Sequence, residues 1–322
     1  MDRITCRFEV QGRISNMAHS DITNDCLVST MMNGTHIFKK DDSNYEPSTR
    51  SSIHLESFPH HIIGGDPVIS SCFLSADSCI AIGTGMGSIA VISRHSRTVV
   101  RCYTFQEETP VLSLKEVPQE PSLLLSSSPS SAEVIDIERA AVRLSFLTPK
   151  PRVIGAVAVN NNTFAVANYD GKVMLYDARR GREPVTILAV PDQITSISAS
   201  LDSAAVAAGT VGGRVFVMRC STSNVREEAF GTGKVRVPIR SVSMYHGRIA
   251  AGDVSGKLTI IDTGEHPQPT KYWTAQSLLP QHATTNSTIS YTVASLVQCK
   301  KEVWTAVTPS EGALSHVVVL SA

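Results

Sequence analysis

Short apolar runs separated by turn-forming glycines recur from one end of this chain to the other. Thr163-Phe164-Ala165-Val166-Ala167-Asn168 precedes the turn Asp170-Gly171, and Lys172-Val173-Met174-Leu175-Tyr176-Asp177 follows it. Two strand-length runs around a tight glycine turn predict a β-hairpin, with the glycine at positive φ. Equivalent turns occur at Asn33-Gly34, Met86-Gly87, Gly212-Gly213, Ser255-Gly256 and Glu311-Gly312. The steps from Gly171 to Gly213 and on to Gly256 are 42 and 43 residues, and Gly87 to Gly171 is twice 42. Near the middle of that double step lies a glycine-free turn, Ser128-Pro129-Ser130-Ser131. A period of roughly 40–45 residues holding four strands predicts the blades of a β-propeller.

Each blade has an inner strand a, then b and c, and an outer strand d. The fourth is the clearest: Val153 to Val159, Thr163 to Asn168, Lys172 to Tyr176, and Pro184 to Ala189. The fifth and sixth repeat it, with Ala-Ala-Gly at the same phase of strand b (Ala207-Ala208-Gly209 and Ala250-Ala251-Gly252), where small residues let neighbouring blades approach. Blades one to three begin at Ile14, Val68 and Val111. The seventh, from Ile289 to Leu320, runs out of chain after three strands, while Arg3 to Val10 is strand-like with no blade of its own. An unpaired sheet edge is a liability, so the N-terminal run is expected to close the ring as the outer strand of the last blade. The expectation is an all-β, seven-bladed β-propeller occupying residues 1–322 as a single domain.

Composition fits this reading. Of 322 residues, 42% are hydrophobic and only 18% charged, against roughly 25% charged in an average globular domain. Lys plus Arg and Asp plus Glu are 29 each, so no global field draws the protein to nucleic acid or anionic lipid. The N-terminus lacks the apolar core of a secretory signal, and no apolar run approaches the length of a membrane span. A place in the nucleus or cytoplasm is expected, without membrane insertion. The seven cysteines are scattered, with no Cys-x-x-Cys pair, and read as small core residues of a reducing compartment.

The chain resembles the WD40-repeat family over its full length, in degenerate form. The family's Trp-Asp at the end of strand c has its nearest matches in Tyr176-Asp177, Ile261-Asp262 and Ile135-Asp136, and its Gly-His dipeptide does not occur. The resemblance implies the propeller fold and a protein-interaction role. Departure from the motif implies that apolar burial between blades carries most of the stability. The N-terminal run Arg7-Phe8, Gln11 and Ile14-Ser15 is further similar to the start of the small propeller nucleoporins of the Y-shaped nuclear-pore outer ring. Mitotic-checkpoint and messenger-RNA-export propellers are competitors of similar size.

Candidate chemistry is sparse. Gly83-Thr84-Gly85-Met86-Gly87 looks like a phosphate loop, but a strand follows it and not the helix N-terminus such a loop needs. His60-His61 beside Asp66 lacks a third ligand at recognisable spacing. No nucleophile elbow or metalloprotease helix is present. No enzyme activity, metal or cofactor is expected. Arg179, Arg180 and Arg182 fall between strands c and d of blade four, and Lys234, Arg236 and Arg240 surround the approach to blade six, on the opposite face. Two long connections each carry an aliphatic pair in polar surroundings: Ile62-Ile63 after His60-His61, and Leu278-Leu279. Either these pairs fold down over the channel mouth, or they form an apolar patch that a partner covers. The expected role is a non-catalytic scaffold whose partners are other proteins of a multi-subunit assembly, with Ile62, Ile63, Leu278, Leu279, His60, His61 and Arg236 as candidate contacts. The alternative is an adaptor that reads a peptide or modified tail in the channel mouth.

Overall fold

The computed structural model describes residues 4–20, 22–23, 25–32, 34–38, 55–58, 65–74, 78–104, 108–148, 152–200, 205–220, 224–226, 237–263, 268–279, 290–298, 302–310 and 314–321. The strands form seven four-stranded antiparallel sheets, a seven-bladed propeller, and the single helix among the described residues is one turn, Ala275–Leu278. Strands a to d of blade four are Val153–Ala158, Thr163–Asn168, Lys172–Asp177 and Thr186–Ala189. Six sheets are continuous stretches of chain.

The seventh sheet is composite. Its strands a, b and c are Tyr291–Gln298, Glu302–Pro309 and Leu314–Ser321, and Ile4–Gln11 lies outermost against Leu314–Ser321. The register runs antiparallel from Ile4 opposite Leu320 to Gln11 opposite Leu314. Phe8 packs 5.1 Å from the Phe38 ring of blade one and 6.1 Å from the Trp304 ring of blade seven. Ser315 Oγ donates to the Gly12 carbonyl at 2.7 Å, and Arg13 Nη2 donates to the Ser310 carbonyl at 2.6 Å. The N-terminal strand therefore supplies both the missing ladder and part of the apolar layer that joins last blade to first.

Apolar burial is organised by seam. Each of the seven buried clusters draws its residues from two adjacent blades, such as Val134 and Phe146 with Phe164 and Met174 between blades three and four. A strand in a blade faces a neighbour on both sides, which is why strand b reads as a continuous apolar run. Full burial of such a side chain is worth about 1.5–3 kcal/mol. At the end of strand c in blade four, Tyr176 is fully buried, and its hydroxyl donates to the Leu147 carbonyl at 2.8 Å, tying blade four to blade three. Burial pushes that phenol up to about 12.

The recurrent turn glycines answer two demands. Gly171 has φ of 84°, and a Cβ there would stand 2.7 Å from the Val190 carbonyl oxygen, on the chain entering blade five. Both left-handed backbone and close approach exclude a side chain. In strand b the second demand acts alone: a Cβ on Gly252 would lie 2.6 Å from Val293 Cβ of blade seven.

Inner strands are joined by polar atoms at one repeated phase near the start of strand a, which in every blade but the third follows a bulge. Asn16 Nδ2 donates to the Ser71 carbonyl at 2.8 Å, and Ser70 Oγ donates to the Val111 carbonyl at 2.8 Å. Ser113, Ser241 and Ser295 each accept the backbone N–H of the next blade's strand a, from Ala156, Leu296 and Met17, at 3.1 Å. Blade four has Gly155 at this phase and touches Ile197 Cγ2 instead, 3.3 Å from where its Cβ would stand.

Candidate functional site

Two backbone hydrogen bonds link the turn between strands b and c of blade one, with Met31 and Met32, to that of blade two, with Met86. Both turns hold the segment that enters blade two: the Val68 N–H donates to the Met31 carbonyl at 3.1 Å, and the Gly85 N–H donates to the Pro67 carbonyl at 2.8 Å. The three methionines are 37%, 63% and 48% exposed. Turn tips have no sheet face on which to bury such side chains, so the three thioethers stand in solvent on this end of the ring. Methionine suits such a surface because its unbranched, polarisable chain repacks against differently shaped partners.

The connection ending at Pro67 is the one that carries His60, His61, Ile62 and Ile63, and those four residues lie outside the described residues, as does Arg236. The other aliphatic pair is buried, Leu278 at 0% and Leu279 at 3%, which corrects the expectation that it lies open to a partner. The helical turn Ala275–Leu278 folds both leucines into the seam of blades six and seven, among Leu258, Ile260, Val293 and Leu320. Of the two alternatives for this loop, folding down is the one observed, over the blade seam and not the channel mouth. The helix is pinned where the Ser277 and Leu278 N–H groups donate to the Thr274 carbonyl at 2.9 and 3.0 Å.

On the opposite end, Arg179 is held by Asp177 through two bonds of 2.9 and 2.7 Å. The guanidinium and the Arg179 backbone N–H hold the Asp177 carboxyl down at about 2. This pair is a turn clamp, so the arginine run presents less free charge than its sequence suggests. A groove of about 220 Å³ beside it, between blades three and four, has Leu123, Val134 and Phe164 in its wall and Arg143 and Arg179 at its rim.

The central channel is a cavity of about 520 Å³. Its wall is made by the later residues of strand a from each blade, among them His19, Cys72, Lys115, Val157, Ser198, Ser243 and Val297. Lys115 projects from the middle of its strand, Ser113–Val117, and its side chain meets the lumen. Its side chain stays open to the lumen, while the nearby channel walls desolvate it enough to lower its pKa, with the Cys72 thiol giving a smaller opposing effect. Burial pushes Cys72 up to about 12. Among the described residues no group of three or more His, Cys, Asp or Glu is placed to hold a metal ion.

Sequence reasoning missed both Lys115 and the methionines. A visible signal existed for each: an adjacent charged pair, Lys115-Glu116, within a short inner strand, and an adjacent methionine pair at a turn. The serine phase that stitches the seams was also legible as a recurring aliphatic-x-Ser, as in Val68-Ile69-Ser70, Ile239-Arg240-Ser241 and Val293-Ala294-Ser295. The seven four-stranded blades and their closure are consistent with a WD40-like propeller. No protein-family model and no curated protein matches the chain.

Proposed function

We propose that this protein is a non-catalytic docking module whose partners are other proteins of a multi-subunit assembly in the nucleus or cytoplasm. The observation that carries this reading is the cluster of Met31, Met32 and Met86, exposed and joined through Pro67 and Val68 on one end of the ring. A stable interface buries roughly 800 Å² per partner, with its energy concentrated in a few apolar anchors at the centre. Three flexible thioethers on a rigid seven-sheet frame suit that role, and Ile62-Ile63 of the adjoining connection would extend it. The more specific form of the proposal, a subunit of the nuclear-pore outer ring at the nuclear envelope, rests on the N-terminal resemblance at Arg7-Phe8, Gln11 and Ile14-Ser15.

Affinity purification of the tagged protein from its own cells, with quantitative mass spectrometry, tests this. A stoichiometric set of large scaffold proteins is expected, and the triple substitution Met31→Glu, Met32→Glu and Met86→Glu should deplete it at least tenfold while leaving the melting temperature nearly unchanged. Full retention by the triple variant would sink the docking surface. A fluorescent fusion absent from the nuclear rim would remove the nuclear-pore form. The channel, with about 520 Å³ and both Phe73 and Tyr245 in its wall, favours a second reading as an adaptor for a peptide or modified tail. Recovery of one peptide-bearing client in place of a scaffold set would select it.

A further inference from the structure

One mouth of the channel is held rigid from two sides. The cavity is lined by the later residues of strand a and by turns that lead from strand a to strand b, so it opens on the end of the ring opposite the methionine turns. Ile22, in the first of these turns, belongs to that lining and is 70% exposed. Buried Ser20 fixes the turn from below: its Oγ accepts the Ile22 and Thr23 N–H groups at 3.1 and 3.0 Å, and its own N–H donates to the Asp25 carbonyl at 2.9 Å. Asp25 is tied in turn to Arg94 of blade two by a largely buried ion pair of 2.7 Å. A branched aliphatic side chain is thereby presented to solvent on a fixed backbone.

The turn Tyr245-His246-Gly247 of blade six forms a second lip. His246 takes a left-handed φ of 46°, a conformation unfavourable for a residue other than glycine. The Tyr245 and His246 rings meet edge-on with their centroids 4.2 Å apart, and the Gly247 carbonyl accepts both the N–H and the hydroxyl of Thr263. Backbone strain of this kind persists only where the surroundings fix it, and lips already fixed lose little freedom when a ligand arrives.

The lining sets the chemistry of that ligand. Its one ammonium, Lys115, and its one carboxylate, Glu116, have opposite signs and leave no single-sign field to draw in an ion. Phe73, Ile197, Met244 and Val297 supply apolar wall. A charged side chain entering this lumen would lose hydration for an incomplete return, whereas an uncharged apolar one removes only apolar surface from water. A small molecule confined to the lumen leaves Ile22 uncovered at the lip; a chain that continues outward past the mouth covers both.

We propose that this mouth of the channel receives an extended segment of a partner protein, with one uncharged apolar side chain inserted into the lumen and the flanking residues laid over Ile22. The inference rests on the second reading above, the channel as a peptide site, and gives that peptide its chemistry.

The test selects a phage-displayed library of random heptapeptides on the full chain, and the enriched sequences are made as free peptides with blocked ends for titration calorimetry. One position should be aliphatic or aromatic in all of them, and replacing it by Lys or Glu should weaken binding at least tenfold. Ile22→Asp, at an exposed site, should melt within about 1 °C of wild type and bind at least tenfold more weakly. The triple methionine variant should bind as wild type does. Methyl nuclear magnetic resonance locates the site without a variant: the Ile22 and Met244 signals should move saturably with peptide, and those of Met32 and Met86 should not. Peptides that need Ile22 but share a Lys, Arg, Asp or Glu in place of the apolar position would overturn the inference and leave the peptide reading standing. Binding undiminished in Ile22→Asp, with Met244 unmoved, would overturn the channel mouth as the site. A library that yields no binding peptide would overturn the inference and the peptide reading together.

Discussion

Substituting Phe8→Ala should weaken the whole ring, because Phe8 belongs to the strand that joins last blade to first. Its ring lies 5.1 Å from Phe38 and 6.1 Å from Trp304, across the seam that also buries Val10, Ile14, Val317 and Val319. Truncating a fully buried phenylalanine costs about 3–5 kcal/mol, and close aromatic pairs contribute about 0.5–1.5 kcal/mol beyond area. Phe8 is half-buried, so the expected loss is roughly 2 kcal/mol. At the usual unfolding entropy per residue, that lowers the melting temperature of a chain of this length by about 3 °C. The neighbouring exposed Arg7→Ala is the control and should stay within about 0.5 kcal/mol of wild type. Urea denaturation followed by far-ultraviolet circular dichroism measures both. Tryptophan fluorescence adds a local probe, since Trp304 is 1% exposed and stacked beside Phe8. A Phe8→Ala protein as stable as Arg7→Ala, with unaltered Trp304 emission, would refute the closure argument.

Leu278→Ala should cost about 2–4 kcal/mol in the same denaturation assay, as expected of a fully buried leucine between blades six and seven, and should leave the recovered partner set unchanged in the purified complex; a stable variant that loses partners would show the leucine to be a contact. Cysteine reactivity should follow burial: with a thiol-specific reagent at pH 8, exposed Cys102 is modified first among the described cysteines and Cys72, held up at about 12, at least a hundredfold more slowly, as peptide mapping would report. Equal rates would mean that the channel wall beside Lys115 opens freely.

Much of the architecture was readable from the residues because two local rules recur in every blade. A glycine at positive φ can be recognised without knowing its neighbours, and strands facing a blade on each side must be apolar throughout, so hairpins such as Thr163–Asn168 with Lys172–Asp177 appear at the ends read for them, to within a residue. Closure was legible for a similar reason: three strands after residue 289 and one spare strand at the start leave a single economical pairing. Boundaries slipped where a strand edge depends on the adjacent blade. Strand a of blade three begins at Ser113 and not Val111, whose N–H donates to the Thr84 carbonyl of blade two at 3.0 Å.

The candidate sites divide along the same line. Sequence alone determined the number of blades, the strand that seals them and the small residues at their seams, since each follows from short-range sterics repeated at a fixed period. Tertiary structure decided which apolar and charged side chains are left over. Leu278-Leu279 and Met31-Met32 are both aliphatic or thioether pairs in connections, yet a helical turn places the first in a seam and a hairpin tip leaves the second in solvent. Lys115 reads as an ordinary strand lysine until the inner strands place it on the channel wall. Burial and charge balance are sums over neighbours distant in the chain, and no local pattern contains them.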